Sequence, residues 1–158
     1  MTIGDFVGAG SHVPLLASVV ATAGPGPVLE LGVGDSSTPL LRELCKAMGR
    51  ELVGVDTHEE WARKYGAHLL SAPPAGLWER DWAVVFIDTS PPPTRLELVQ
   101  LVRYRAEFIV IHDTDNQGGD LADLVAYFDT FPHLYTDEST RPWTTVLSDV
   151  RAYPGGGR

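Results

Sequence analysis

The sequence predicts an α/β domain in which a largely parallel sheet lies between two layers of helices. Short apolar runs alternate with helical segments through residue 131, which is the pattern of successive β-α units. The run over 83–87 is apolar throughout, as in a strand that is buried on both faces. The run over 28–31 leads into Gly32, Gly34 and several hydroxyl residues, which indicates a strand, a tight turn and a helix start.

The N-terminal half contains three predicted helices and three predicted strands, each bounded by turn residues. Ser11 is suited to cap the first helix, and the Gly-Pro repeat over 24–27 ends it. Gly49 and Gly66 end the next two helices. The helices cover 12–23, 39–48 and 59–65, and the strands cover 28–31, 51–55 and 68–71.

The C-terminal half continues this alternation until its last two strands. The prolines over 91–93 forbid a helix directly after the run over 83–87, and Pro142 separates the two final strands. These strands are close enough in sequence to pair antiparallel. The strands cover 83–87, 108–111, 133–136 and 144–147, and the helices cover 95–104 and 120–131.

Length and composition indicate one globular domain. The chain has 158 residues and 44% hydrophobic content, both ordinary for a single core. We assign the domain to residues 11–152, with a flexible N-terminus over 1–10 and a flexible Gly-rich tail over 153–158.

The charge of the chain limits its partners. Twenty-one acidic residues against twelve Lys and Arg give a formal net charge of −9. Without a basic stripe, this argues against nucleic acid and against anionic membrane surfaces. No apolar run approaches the roughly 20 residues of a membrane span, and residues 1–10 lack the pattern of a signal peptide. We therefore expect a cytoplasmic protein.

Four of the predicted strands have an acidic residue at or just past their end, namely Glu30, Asp56, Asp88 and Asp113. Ligands of parallel α/β sheets bind beyond the carboxyl ends of the strands, so these acids are expected to line one binding site. A single acid in such a position is equally well explained as a helix cap. Four at one edge of a sheet indicate a ligand.

A positively charged ligand suits this acidic edge better than a dinucleotide. A diphosphate favours a third glycine where the sequence has Ser37, and Asp35 is at the position where the phosphate would lie. Like charges about 4 Å apart repel by roughly 4 kcal/mol at an effective dielectric constant of about 20. S-adenosylmethionine avoids this repulsion, because it carries a sulfonium, an ammonium and a ribose diol that a carboxylate can bind.

Four motifs in this order resemble those of the class I S-adenosylmethionine-dependent methyltransferases. Residues 30–34 (Glu-Leu-Gly-Val-Gly) resemble the first motif, residues 53–56 the second, residues 84–88 the fourth, and residues 108–113 the end of the fifth strand. The resemblance covers about residues 12–150. It implies a Rossmann-like three-layer sandwich with a mostly parallel seven-stranded sheet whose last strand is antiparallel.

The resemblance also implies which residues bind S-adenosylmethionine. Gly32 and Gly34 would let its methionine part approach the backbone, Glu30 would lie near its amino group, and Asp56 would bind the ribose hydroxyls. The two serines after the glycine turn would bind its carboxylate or, equally, cap the following helix. The implied cofactor-binding residues are Glu30, Gly32, Gly34, Ser36, Ser37, Asp56, Thr57, His58 and Asp88.

Methyl transfer to a hydroxyl requires that the acceptor lose its proton to a base or near a metal. In the first arrangement, His112 removes the proton and Asp113 orients the imidazole or the substrate, since histidine side chains titrate near neutral pH. The alternative is a histidine that has only a structural role at the end of its strand.

In the second arrangement, Asp88, Asp113 and either Asp115 or Asn116 bind Mg²⁺, which prefers oxygen ligands. The sequence resembles here the metal-dependent O-methyltransferases of the catechol and macrocin kinds, which have acids at the ends of strands four and five. In the catechol kind an Asn directly follows the second acid, whereas Thr114 follows it here.

The function predicted from the sequence is methyl transfer from S-adenosylmethionine to a small molecule, at oxygen. Two alternatives remain open: a protein that binds this cofactor without catalysis, and a nicotinamide-dependent oxidoreductase. Because the sequence has no obvious cap domain, the acceptor is recognised by the N-terminal helix, by the loops after strands four and five, or by a second subunit of a homo-oligomer.

Overall fold

A single seven-stranded sheet organises the computed structural model, which describes residues 10–115 and 119–156. Residues 1–9 and 157–158, which belong to the predicted flexible ends, lie outside the described residues, as does Asn116 of the metal hypothesis. Within the described ranges, no helix is both long and apolar enough to cross a membrane.

Strands and helices alternate as the sequence predicts. The strands are β1 (Val28–Leu31), β2 (Leu52–Asp56), β3 (His68–Leu69), β4 (Trp82–Ile87), β5 (Ala106–His112), β6 (His133–Asp137) and β7 (Thr144–Ser148). The α-helices are α1 (Val13–Thr22), α2 (Ser37–Met48), α3 (Glu59–Tyr65), α4 (Thr94–Val102) and α5 (Ala122–Phe128).

The strand order is β3-β2-β1-β4-β5-β7-β6. The first five strands pair parallel, and β7 runs antiparallel to both of its neighbours, β5 and β6. Leu31 at the end of β1 pairs with Val55 of β2 and with Ile87 of β4. The carboxyl ends of these three strands therefore lie side by side. This topology confirms the predicted Rossmann-like sandwich with its antiparallel last strand.

Two apolar layers cover the sheet, because successive strand residues point to opposite faces. Val84 and Phe86 of β4 pack with residues of α1 and α2, whereas Val85 and Ile87 pack with residues of α4 and α5. All six residues of β4 are buried. The continuous apolar run that predicted this strand therefore reflects burial on both faces.

The strand β3 and the helix α5 are much shorter than predicted. The strand β3 has two residues, because its pairing with β2 is limited to Val55 with His68 and Asp56 with Leu69. The helix α5 follows a short 3₁₀ turn over Gly119–Leu121 and ends at Phe128. Its end is tightened by the turn bonds from Thr130 N to Tyr127 O and from Phe131 N to Phe128 O.

Candidate active site

The glycine turn after β1 crosses directly over the end of β4. Gly32 has a φ of 94°, in the region that favours glycine. A Cβ there would lie 2.5 Å from the backbone C and O atoms of Asp88 and 2.8 Å from the amide nitrogen of Thr89. Among the described residues, a Cβ on Gly34 would meet only the hydroxyl of Ser37, at 3.7 Å. Gly32 is therefore required by the close approach of this turn to the backbone after β4. The space beside Gly34 is available to a ligand.

Glu30 lies beneath this turn and is fully buried. Its Oε1 accepts hydrogen bonds from the hydroxyls of Ser37, at 2.6 Å, and Thr38, at 2.9 Å. Its Oε2 has no hydrogen-bond partner among the described residues. Burial raises the pKa of Glu30 to about 7, and the two hydroxyl bonds only partly oppose this. One of the two predicted serines thus anchors the first turn of α2 to β1.

Asp56 is buried at the end of β2. Its Oδ2 accepts the amide of Val33 at 2.9 Å, and its Oδ1 accepts the amide of His58 at 2.7 Å. A carboxylate has about four acceptor positions, so each oxygen keeps one for a further donor. The next residue, Thr57, donates to Ser90 O at 2.6 Å and so joins the loops after the two strands that flank β1.

Other residues of the predicted cofactor site face outward. Ser36 is the partly exposed N-cap of α2, and its side chain makes no capping hydrogen bond. The imidazole of His58 is about half exposed. Asp35, the acid predicted to repel a phosphate, pairs with Lys64 at 2.6 Å and accepts a bond from the Tyr65 hydroxyl. These bonds lower the pKa of Asp35, with the bond from Lys64 the main cause.

An apolar recess of about 240 Å³ lies beside Asp56, and the sequence analysis did not include it in the site. The backbone joins the two directly, since the amide of Leu70 donates to Asp56 O at 2.8 Å. In the sequence, Trp78 in the loop before β4 was the residue that could have indicated this recess. The residues that line the recess are Leu70, Trp78, Thr94, Glu97, Leu98 and Leu101.

His112 ends β5 as a buried imidazole held on both sides. Its Nδ1 lies 3.2 Å from Asp88 Oδ2, and its Nε2 lies 3.0 Å from the hydroxyl of Ser11. The carboxylate that contacts this histidine is therefore Asp88 and not Asp113, which was expected to orient either the imidazole or the substrate. Asp113 is partly exposed and has a φ of 61°.

Arg95, which the sequence analysis missed, fixes the ends of β4 and β5 together. This buried guanidinium donates to Thr89 O at 3.0 Å, to His112 O at 2.7 Å and to Asp88 Oδ1 at 3.2 Å. The one feature of the sequence that could have indicated a role for Arg95 is that it is the single cation in α4. A cation that pairs with Asp88 also keeps the charge balance of this buried cluster.

The structure does not support the predicted Mg²⁺ site at Asp88, Asp113 and Asp115. The described residues contain no group of three or more side chains that could hold a metal ion. Asp88 pairs with the guanidinium of Arg95, and Asp115 lies 3.8 Å from that of Arg141. These carboxylates already pair with cations, so their arrangement does not fit a divalent ion.

The chain is similar to solved structures in its fold, but its sequence gives no match. The sequence matches no protein-family model, and no curated protein matches it. Among solved structures, the human methyltransferase 10 domain containing protein has a TM-score of 0.60 at 12% identity, over 96% of this chain and 84% of that one.

Two further solved structures match at a similar level. The precorrin-6y C5,15-methyltransferase of Geobacter metallireducens has a TM-score of 0.55 at 15% identity, over 87% of this chain and 88% of that one. The plantazolicin methyltransferase BpumL in complex with SAH has a TM-score of 0.54 at 12% identity, over 88% of this chain and 84% of that one. The chain therefore has the fold of the class I S-adenosylmethionine-dependent methyltransferases.

Proposed function

We propose that this protein transfers a methyl group from S-adenosylmethionine to a hydroxyl of a small molecule. The observation that carries the proposal is the contact between the buried His112 and the partly exposed Asp88, which joins the end of β5 to the end of β4, the strand next to the Gly32 turn, in a methyltransferase fold. The pair supplies a base where β4 and β5 end, which is the edge at which α/β sheets bind ligands.

The residues of the edge suit the cofactor. Asp56 keeps one acceptor position on each oxygen, which fits the two hydroxyls of a ribose. The recess beside it is apolar and contains the indole of Trp78, which suits the flat face of an adenine. When bound, S-adenosylmethionine supplies an electrophilic methyl group on a positively charged sulfur.

Glu30 supplies charge beneath the glycine turn. Its Oε2, without a partner among the described residues, and its raised pKa of about 7 describe a carboxyl that has no cation in hydrogen-bond contact, although Arg42 lowers the pKa slightly from a distance. An ammonium group nearby would favour the ionised form. We therefore assign Glu30 to the amino end of the cofactor, with Gly34 leaving room for the methionine chain.

His112 acts as the general base of the proposed reaction. Its Nε2 accepts the acceptor's hydroxyl proton, while Asp88 at Nδ1 holds the ring in place and stabilises the resulting imidazolium. Arg95 fixes the carboxylate of Asp88 and the backbone of His112 at once. Methyl transfer otherwise needs only alignment of oxygen, methyl and sulfur.

The test is methyl transfer itself. The protein is incubated with S-adenosylmethionine and a panel of small phenols and alcohols, and methylated products are measured by mass spectrometry. We expect an O-methylated product, and His112→Asn should slow its formation by about 10²-fold or more. His133→Asn is the control, because His133 lies at the start of β6, away from this edge.

Two results would contradict the proposal. If the protein binds the cofactor but methylates nothing in the panel, it is a binding protein without catalysis. If His112→Asn transfers methyl groups at the full rate, another group removes the proton.

A further inference from the structure

The first described turn of the chain, residues 10–12, lies directly on the proposed base. Ser11 Oγ is 3.0 Å from His112 Nε2 and also donates a hydrogen bond to Pro142 O at 2.8 Å. A serine hydroxyl thus lies where the hydroxyl of a methyl acceptor would have to bind.

The neighbouring residue, His12, is buried without hydrogen bonds. It is 2% exposed, and both of its ring nitrogens lack a partner among the described residues. Its ring stacks on Phe86 at 5.1 Å and meets the edge of the His112 ring at 4.3 Å. Buried polar groups without partners are rare and disfavour the packing that contains them. Opening this turn would return both nitrogens to a polar environment.

We propose that this closing turn, residues 10–12, occupies the acceptor site. Ser11 Oγ takes the position of the acceptor hydroxyl on His112 Nε2, and the acceptor binds by displacing the turn. The assignment of the displaced position to an acceptor rests on the proposed function, because it requires that His112 be the base.

The charges around His112 indicate a neutral acceptor. Asp88 and Asp113 both lie at this end of β4 and β5. The guanidinium of Arg95 already donates to Asp88 and to two backbone oxygens, and that of Arg141 lies near Asp115. A carboxylate or phosphate would meet the repulsion of Asp88 and Asp113, whereas an uncharged alcohol or phenol needs only a hydrogen bond to Nε2 from the position that Ser11 Oγ holds.

The first experiment measures access to His112 with diethyl pyrocarbonate, which modifies imidazole nitrogens, and locates the modified histidines by mass spectrometry. His58, about half exposed, is the internal reference. In the wild type, His112 should react far more slowly than His58. Ser11→Ala should raise the rate at His112 by about tenfold or more, because the turn loses the hydrogen bonds of Ser11 Oγ to His112 and to Pro142 O.

Two matched variants control this result. Ser11→Thr keeps the hydroxyl and should protect His112 as the wild type does. Ser71→Ala removes an exposed hydroxyl elsewhere and should change nothing. The proposal is overturned if Ser11→Ala, folded as judged by circular dichroism, leaves His112 as protected as in the wild type.

The second experiment uses the wild-type chain, so that it stands even if Ser11→Ala does not fold. Amide hydrogen exchange in α1 is measured with S-adenosylhomocysteine and millimolar phenol, and benzoate is the anionic control. Phenol should speed exchange in the first turn of α1, and benzoate should not. An unchanged rate with phenol, or an equal effect of benzoate, would overturn the assigned acceptor class.

The two experiments separate this inference from the proposed function. If S-adenosylhomocysteine does not bind, the proposed function fails. The access of diethyl pyrocarbonate to His112 in Ser11→Ala still decides whether residues 10–12 close over that histidine.

Discussion

The buried carboxyl of Glu30 links the stability of the fold to pH. Its pKa is raised from 4.5 to about 7, mainly because burial disfavours the charged form. Between these two values the folded state holds a proton that the unfolded state releases. Stability is therefore highest below pH 4.5 with respect to this group and falls as the pH rises towards 7. The whole loss amounts to about 3 kcal/mol.

Glu30→Gln should remove this loss. The amide keeps an oxygen that accepts the bonds from Ser37 and Thr38 but does not ionise. Urea unfolding should show the variant more stable than the wild type at pH 8, by up to about 3 kcal/mol. At pH 4.5 the two should agree within about 1 kcal/mol.

The control for this prediction is Glu43→Gln, an exposed position on α2. Its unfolding should follow the wild type at every pH. If Glu30→Gln and the wild type are equally stable at pH 8, the prediction is wrong, because ionisation of Glu30 then lowers the free energy of unfolding very little.

For single residues, the sequence predicted where a side chain lies in the fold better than it predicted which side chain it contacts. Asp56 and His112 lie at strand ends as expected, because an acid or histidine after an apolar run is a local signal. The contact of Ser11 with His112 spans 101 residues, and that of Asp88 with Arg95 requires the first turn of a helix to fold back over its own strand. Such pairings follow from the tertiary arrangement, which no local pattern contains.

Among the structural elements, the turn after β1 depends most on one residue. Gly32→Ala forces a Cβ against the backbone of Asp88 in a conformation with positive φ. We expect a loss of about 2 kcal/mol or more in the free energy of unfolding, measured by urea denaturation.

Gly34→Ala is the matched control two residues later. Its φ is not in the positive region, and its Cβ would meet one hydroxyl at ordinary contact distance. We expect a stability change within about 1 kcal/mol. If both variants lose the same stability, the close approach of the turn to β4 is not what requires a glycine at Gly32.

The sequence predicted helices and strands correctly where an element is buried on one face, as in α2, or on both faces, as in β4. The run that became β4 and the helix α2 were clear, because the burial of their residues follows the periods of strand and helix. The strand β3 and the helix α5 were predicted too long. Their ends are set by strand pairing and by turn hydrogen bonds, which are decided beyond the residues themselves.

For the whole molecule, the alternation of elements predicted a parallel sheet, but not the strand order. The resemblance to a known family implied seven strands with an antiparallel last strand, and the order β3-β2-β1-β4-β5-β7-β6 comes from the structure. This order places β2 and β4 on either side of β1. It thereby gathers Glu30, Asp56 and Asp88 around the glycine turn.

The most direct test of the account is a calorimetric titration with S-adenosylmethionine, S-adenosylhomocysteine and NAD. We expect both adenosyl compounds to bind and NAD not to bind. Asp56→Ala should raise the dissociation constant of S-adenosylhomocysteine at least about tenfold, which corresponds to 1.4 kcal/mol. Asp35 is an exposed acid that pairs with Lys64, so Asp35→Ala should leave this dissociation constant unchanged. Binding of NAD alone, or an unchanged dissociation constant in Asp56→Ala, would contradict the assignment of this acidic edge to an adenosyl donor.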